Sequence, residues 1–182
     1  MSFKLLSNKS CYNGTEVKIM KLTDFKEVSS NVNLDEYLYL YNYVRDNMEH
    51  PEWLGTFTLD EIKEILNIGG KIWIYYDNNI PVCSVFYIPT SNKSLRKHNI
   101  EYDEKITGSL GPIMVRKEYV GNGLQTAMLE VLNNYVKSIG KIHMFTKAHS
   151  DNIYSIRNIL KDGYKVVDEY KNERGPMIAF IK

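Results

Sequence analysis

The sequence predicts a single α+β domain in which a mixed, mostly antiparallel sheet carries helices on both faces. Strand and helix patterns are interspersed along all 182 residues, with no repeat, low-complexity tract or Pro/Ser-rich linker to divide them, so one domain is expected over 1–182. A hairpin signal in mid-chain requires antiparallel pairing. A long amphipathic helix further on separates two strand patterns, and such a crossover joins strands that lie parallel.

Taken in order, residues 16–22 set Val17, Ile19 and Met20 among polar partners, which predicts a first strand. From Leu34, the apolar positions Leu38, Tyr41, Val44 and Met48 recur at helical spacing until His50-Pro51 stops the pattern. Alternate tyrosines at 37, 39, 41 and 43 spread around much of this helix and are expected mainly to pack. Thr58-Leu59-Asp60-Glu61 is a capping box: hydroxyl and carboxylate satisfy free backbone amides at the start of a helix whose apolar stripe is Ile62, Ile65 and Leu66. Gly69-Gly70 ends it.

Residues 71–76 and 82–88 are β-branched and aromatic runs joined by Asp77-Asn78-Asn79, which tolerate positive φ, so a hairpin is expected. Pro81 lacks an amide donor and suits the start of its strand. Residues 91–105 read as polar and mostly loop, in which Lys93, Arg96, Lys97 and His98 form a small basic cluster that could meet an acidic partner or phosphates but is of the kind that usually faces solvent. Residues 106–115 form the next strand, interrupted by Gly108, Gly111 and Pro112, which weaken a ladder and predict a bulge or a close approach by another chain or ligand. Leu124, Ala127, Met128, Val131, Leu132, Tyr135 and Val136 then trace a long helix up to Gly140. A strand over 142–148 is followed by Ser150-Asp151-Asn152, N-cap residues for a short helix carrying Ile153, Ile156, Ile159 and Leu160. Strands over 164–170 and 177–181 complete the chain.

Composition removes several functions. Twenty-three basic against 22 acidic side chains give a net charge of +1, without the electrostatic footprint of a nucleic-acid binder. No apolar signal core or long uncharged apolar run develops, so neither export nor membrane insertion is expected. Cys11 and Cys83 have no partner spacing, which fits a reducing, cytoplasmic setting and no metal site; Cys83 reads as core.

Chemistry concentrates where a strand end, a glycine loop and a helix start follow one another, from Arg116 through Val120-Gly121-Asn122-Gly123-Leu124-Gln125 to Thr126. Glycine lets backbone approach an anion, and the first helical turn adds unpaired amides and the positive end of the dipole, a combination suited to pyrophosphate. A Gly-x-Gly before a helix is also often just a tight turn. The spaced glycines of a dinucleotide fingerprint and the Gly-Lys-Ser/Thr of a P-loop are both missing.

This region resembles the GNAT superfamily of N-acetyltransferases. The likeness rests on Val115, Tyr119, Gly121-Asn122-Gly123-Leu124 and Leu129, and on a second block from Asn152-Ile153-Tyr154-Ser155-Ile156-Arg157 to Leu160-Lys161-Asp162-Gly163-Tyr164. The family's fold has the element order derived above. The resemblance implies acetyl-coenzyme A as co-substrate, direct acetyl transfer to an amine, and no metal. It further implies that Ile113, Met114 and Val115 hold the pantetheine arm, an amide near Met114 facing the carbonyl oxygen, and that Gly121 to Thr126 and Asn152 bind the cofactor. Partners are then acetyl-coenzyme A and an amine, with a homodimer open. The chain departs from the family at Val120, where Arg or Gln is usual, and at Gln125, where a second Gly or Ala is usual. Ile159 occupies the position of a proton-donating tyrosine, and Ser109 falls about where some members place a glutamate base. His149, ending a strand beside Asn152, is the candidate base, and Tyr154 the candidate acid. A non-catalytic acyl-coenzyme A sensor on the same fold is the alternative.

Overall fold

The computed structural model describes residues 25–29 and 32–182, so the strand expected over 16–22 and Cys11 lie outside the described residues. Seven strands form one sheet in the order β1-β2-β3-β4-β5-β7-β6: β1 (Phe25–Val28), β2 (Lys71–Asp77), β3 (Ile80–Pro89), β4 (Thr107–Val115), β5 (His143–His149), β6 (Lys165–Asn172) and β7 (Gly175–Ile181). Only β4 and β5 pair in parallel, across the long helix that joins them. The hairpin turns at Asn78 and Asn79 with φ of 50° and 64°, both in the left-handed region that a two-residue turn needs.

β1 escapes sequence reading because four residues carry little period. Tertiary partners fix it at the sheet edge: Phe25 packs on Tyr75 with ring centroids 5.2 Å apart, and Glu27 receives the Lys71 ammonium at 2.5 Å.

Helices α1 (Leu34–Asp46) and α2 (Leu59–Asn67) cover one face, α2 starting with the full capping box at Thr58 and Glu61. Between them a 3-10 turn, Pro51–Trp53, follows the stop at His50. Within 91–105, expected to be mostly loop, there is a short helix, α3 (Asn92–Arg96), whose N-cap Ser91 accepts the Ser94 amide. It drives Leu95 and Ile100 into a small core with Phe145 and Ala179 on the same sheet face. The expected basic cluster is likewise divided. His98 is buried with Nδ1 2.7 Å from Asp168, and Arg96 donates to the Ile100 carbonyl at 2.5 Å. His98 is thus satisfied internally, while Lys93, Arg96 and Lys97 stay exposed as expected.

Helices α4 (Leu124–Ser138) and α5 (Ile153–Lys161) cover the opposite face, around Val85, Tyr87, Leu110, Met128, Leu132 and Phe180. Cys83 is fully buried in that core, where loss of hydration pushes its thiol pKa up.

The expected irregularity in β4 is a bulge. Tyr87 pairs with Leu110 but Val85 pairs with Ile113, so two steps on β3 match three on β4 and one extra residue sits at Gly111-Pro112. A one-residue slip exchanges the two faces. Accordingly Leu110 points to the α4 side, whereas Met114, at the same parity, is buried beneath α1 and α2.

Candidate active site

Just before the bulge, the sheet opens. The β4–β5 ladder runs only from Thr107–His143 to Ser109–Phe145, while β5 continues with β7 as far as His149. The residues of β4 after Ser109 therefore have no strand on that side. At the fork, the buried Thr146 hydroxyl donates to the Leu110 carbonyl at 3.1 Å and satisfies an acceptor the ladder has abandoned.

Register decides which β4 groups face the opening. Arg116 donates its amide to the Val82 carbonyl at 2.8 Å, and side alternates along a strand, so the Met114 amide also faces β3. The amides of Ile113 and Val115 face the opening. The inward-facing amide expected near Met114 is thus supplied by the residues on either side of it.

A cleft of about 990 Å³ passes through this opening from one face of the sheet to the other. On the α4 side it is lined by Val120, Gln125, Leu129, Tyr154, Ser155 and Ile159, and on the α1–α3 side by Trp53, Phe57, Ser94, Lys97, Lys147 and Arg174. Ile113, Met114, Val115 and Ser109 lie along the middle.

The glycine loop sits at the α4 mouth. Gly121 and Gly123 have φ of 90° and 75°, and a Cβ on either would meet nothing within 4 Å, so the positive φ selects glycine and the space outside is open. Gly123 is the N-cap and brings no side chain to the first-turn amides, which are left for an external acceptor. Leu124 anchors the turn, its side chain buried in the core, while Asn122 and Thr126 are exposed. Asn158 donates to Gln125 at 2.7 Å and ties α5 to the start of α4.

The other expected residues take distinct places. Asn152 lines the cleft, but its Oδ1 accepts the Ser155 amide at 3.1 Å, so it caps α5. Tyr154 is 71% exposed and lines the cleft, with its hydroxyl free of internal partners among the described residues. Ile159 is buried and holds α5 against the core. His149 is buried too, and lies outside the cleft lining. Its Nδ1 accepts the Asp151 amide at 3.3 Å, its ring stacks 6.1 Å from Trp53, and Nε2 fills the space beside Gly175, 2.7 Å from where a Cβ would stand. Of the tyrosine stretch, Tyr37 and Tyr41 are core, Tyr43 bonds Glu118 and cradles Arg116 at 3.7 Å, and none lines the cleft.

Sequence reasoning missed Thr146, Trp53, Lys147 and Arg174. They come from three separate places, the Pro51–Trp53 turn, β5 and the β6–β7 turn, and only the pairing of β5 with β7 and the fork brings them together.

No family model and no curated protein matches the chain by sequence. Solved structures do match. A GNAT-family acetyltransferase from Streptococcus pneumoniae superposes with TM-score 0.65 at 16% identity, over 87% of this chain and 96% of that one. Salmonella typhimurium yncA, solved with its cofactor acetyl-CoA, gives 0.62 at 17%, over 86% and 90%. Aminoglycoside 6′-acetyltransferase type Ii gives 0.60 at 21%, over 87% and 95%. Along most of its length this chain therefore has the fold of the GNAT-family acetyltransferases.

Proposed function

We propose that the protein is an N-acetyltransferase that moves the acetyl group of acetyl-coenzyme A directly to an amine. The observation that carries this reading is the cleft through the sheet, with an open helix N-terminus at one mouth and unpaired β4 amides along its middle. Pyrophosphate is received by the first-turn amides of α4 and the loop Gly121 to Gly123. The pantetheine arm adds to β4 like a strand, bonding at Ile113 and Val115. One of those amides faces the thioester oxygen and stabilises the charge that builds on it during attack.

The neutral amine nitrogen attacks the thioester carbon from the α1–α3 side, the carbon–sulfur bond breaks, and the thiolate leaves toward α4. Tyr154, the exposed phenol on that side, returns a proton to sulfur in place of the tyrosine that Ile159 replaces. The proton shed by the nitrogen passes to water in the cleft, because His149, the expected base, is buried beside Trp53 and outside the cleft lining. No metal enters this scheme.

A second reading, an acyl-coenzyme A sensor without turnover, draws on Ile159 and Ser109 at positions where the family places proton-transferring side chains. Release of coenzyme A thiol from acetyl-coenzyme A across a broad amine panel separates the two. Amine-dependent release is expected, whereas tight cofactor binding with no turnover would favour the sensor.

A further inference from the structure

The charge lining the cleft is lopsided. Lys97, after α3, Lys147, on β5, and Arg174, in the β6–β7 turn, all line it, against one carboxylate, Glu173. None of the three cations forms a salt bridge among the described residues. Glu173 is the one carboxylate acting on Lys147, and the other neighbours are apolar or backbone: the Lys147 ammonium lies 5.7 Å from the Phe145 ring, and a Cβ added to Gly55 would lie 3.6 Å from an Arg174 guanidinium nitrogen. Solvent reaches Lys147 through the cleft, yet the walls around it, followed by the charges of Arg174 and Lys97, hold its pKa below the usual lysine value.

Their side of the sheet identifies what they meet. Phe145 and Lys147 share the face covered by α3, whereas Met144 and Ala148 face α4. The glycine loop opens on the α4 face. Cofactor phosphates held there leave the three cations on the opposite side, where the acceptor enters.

We infer that the acceptor half of the cleft takes a small amine that also carries an anionic group, a carboxylate or a phosphate, received by Lys97, Lys147 and Arg174. This rests on the transferase reading above. Unneutralised cations in a partly walled site attract an anion strongly, and a charged hydrogen bond favours the charged substrate over its neutral analogue by about tenfold or more.

The test compares amines differing in the anionic group, 4-aminobutyrate against butylamine and phosphoethanolamine against ethanolamine, by thiol release at low salt. The anionic member of at least one pair should have the higher kcat/KM by about tenfold or more. Which pair responds tells carboxylate from phosphate. Arg174→Gln and Lys147→Gln should each remove most of that preference, Lys147→Arg should keep it, and the melting shift given by acetyl-coenzyme A should persist in all three. Equal use of both members, or turnover of neither with the acetyl-coenzyme A shift intact, overturns the inference. Loss of that shift in the glutamine variants also overturns it, by assigning the cations to cofactor phosphates. Absence of both shift and turnover in the wild type refutes the transferase reading itself.

Discussion

Thr146 and Tyr154 show how differently two residues can serve one cleft. Thr146 is a buried hydroxyl whose single bond closes the fork at Leu110. Removing it while keeping the shape strands a buried carbonyl, which costs about 1–3 kcal/mol, so Thr146→Val should lower the melting temperature by roughly 2–12 °C for a chain of this size. An unchanged melting temperature would mean that water satisfies Leu110. Tyr154 is the reverse case, an exposed phenol with little packing to lose. Tyr154→Phe should reduce kcat by more than about tenfold, the low end of general acid catalysis, with cofactor binding preserved. His149→Ala should mainly cost stability, because the ring is packed between Trp53 and Gly175. A kcat loss for His149→Ala as large as that for Tyr154→Phe would show that the histidine does reach the reaction. The exposure of Tyr154 and the burial of His149 were both illegible in sequence, since each depends on how the 149–154 turn meets β7 and the Trp53 turn.

Among the elements, those with strong local signals were legible. The capping box of α2, the Asn78-Asn79 turn and the apolar stripe of α4 all appear where the pattern places them, because each is decided by neighbours in sequence. β1 and α3 are decided instead by distant partners, Tyr75 for one and Phe145 with Ala179 for the other. The irregularity of β4 was legible from Gly111-Pro112, but its consequence, the exchange of faces between Leu110 and Met114, needed the register. The turn into α4 belongs to this scale also. Gly123→Glu puts a carboxylate beside the open first-turn amides proposed to receive pyrophosphate, and the site is exposed, with no atoms near the new Cβ. The positive φ of 75° makes any side chain strained there, at a cost of about 1–3 kcal/mol. The variant should therefore fold with a modest loss of stability and lose the acetyl-coenzyme A melting shift. A folded variant with unchanged cofactor affinity would place the phosphates elsewhere.

At the scale of the molecule, function follows from a sheet that comes apart at one point. Parallel pairing ends at Ser109–Phe145, the bulge turns Met114 away, and the cleft that results joins an open helix N-terminus on one face to a cationic recess on the other. The sequence already indicated the first of these through its glycine loop; the recess draws on Lys97, Lys147 and Arg174, too far apart in sequence to read as one site. No helix among the described residues is long and apolar enough to cross a membrane. The central claim, that the forked β4 and the α4 N-terminus together bind acetyl-coenzyme A, is tested most directly by thermal unfolding of the wild-type protein with and without millimolar acetyl-coenzyme A. Binding at a hundredfold excess over Kd stabilises by roughly 2.7 kcal/mol, so the melting temperature should rise by about 5–10 °C. No rise at millimolar cofactor would contradict the account.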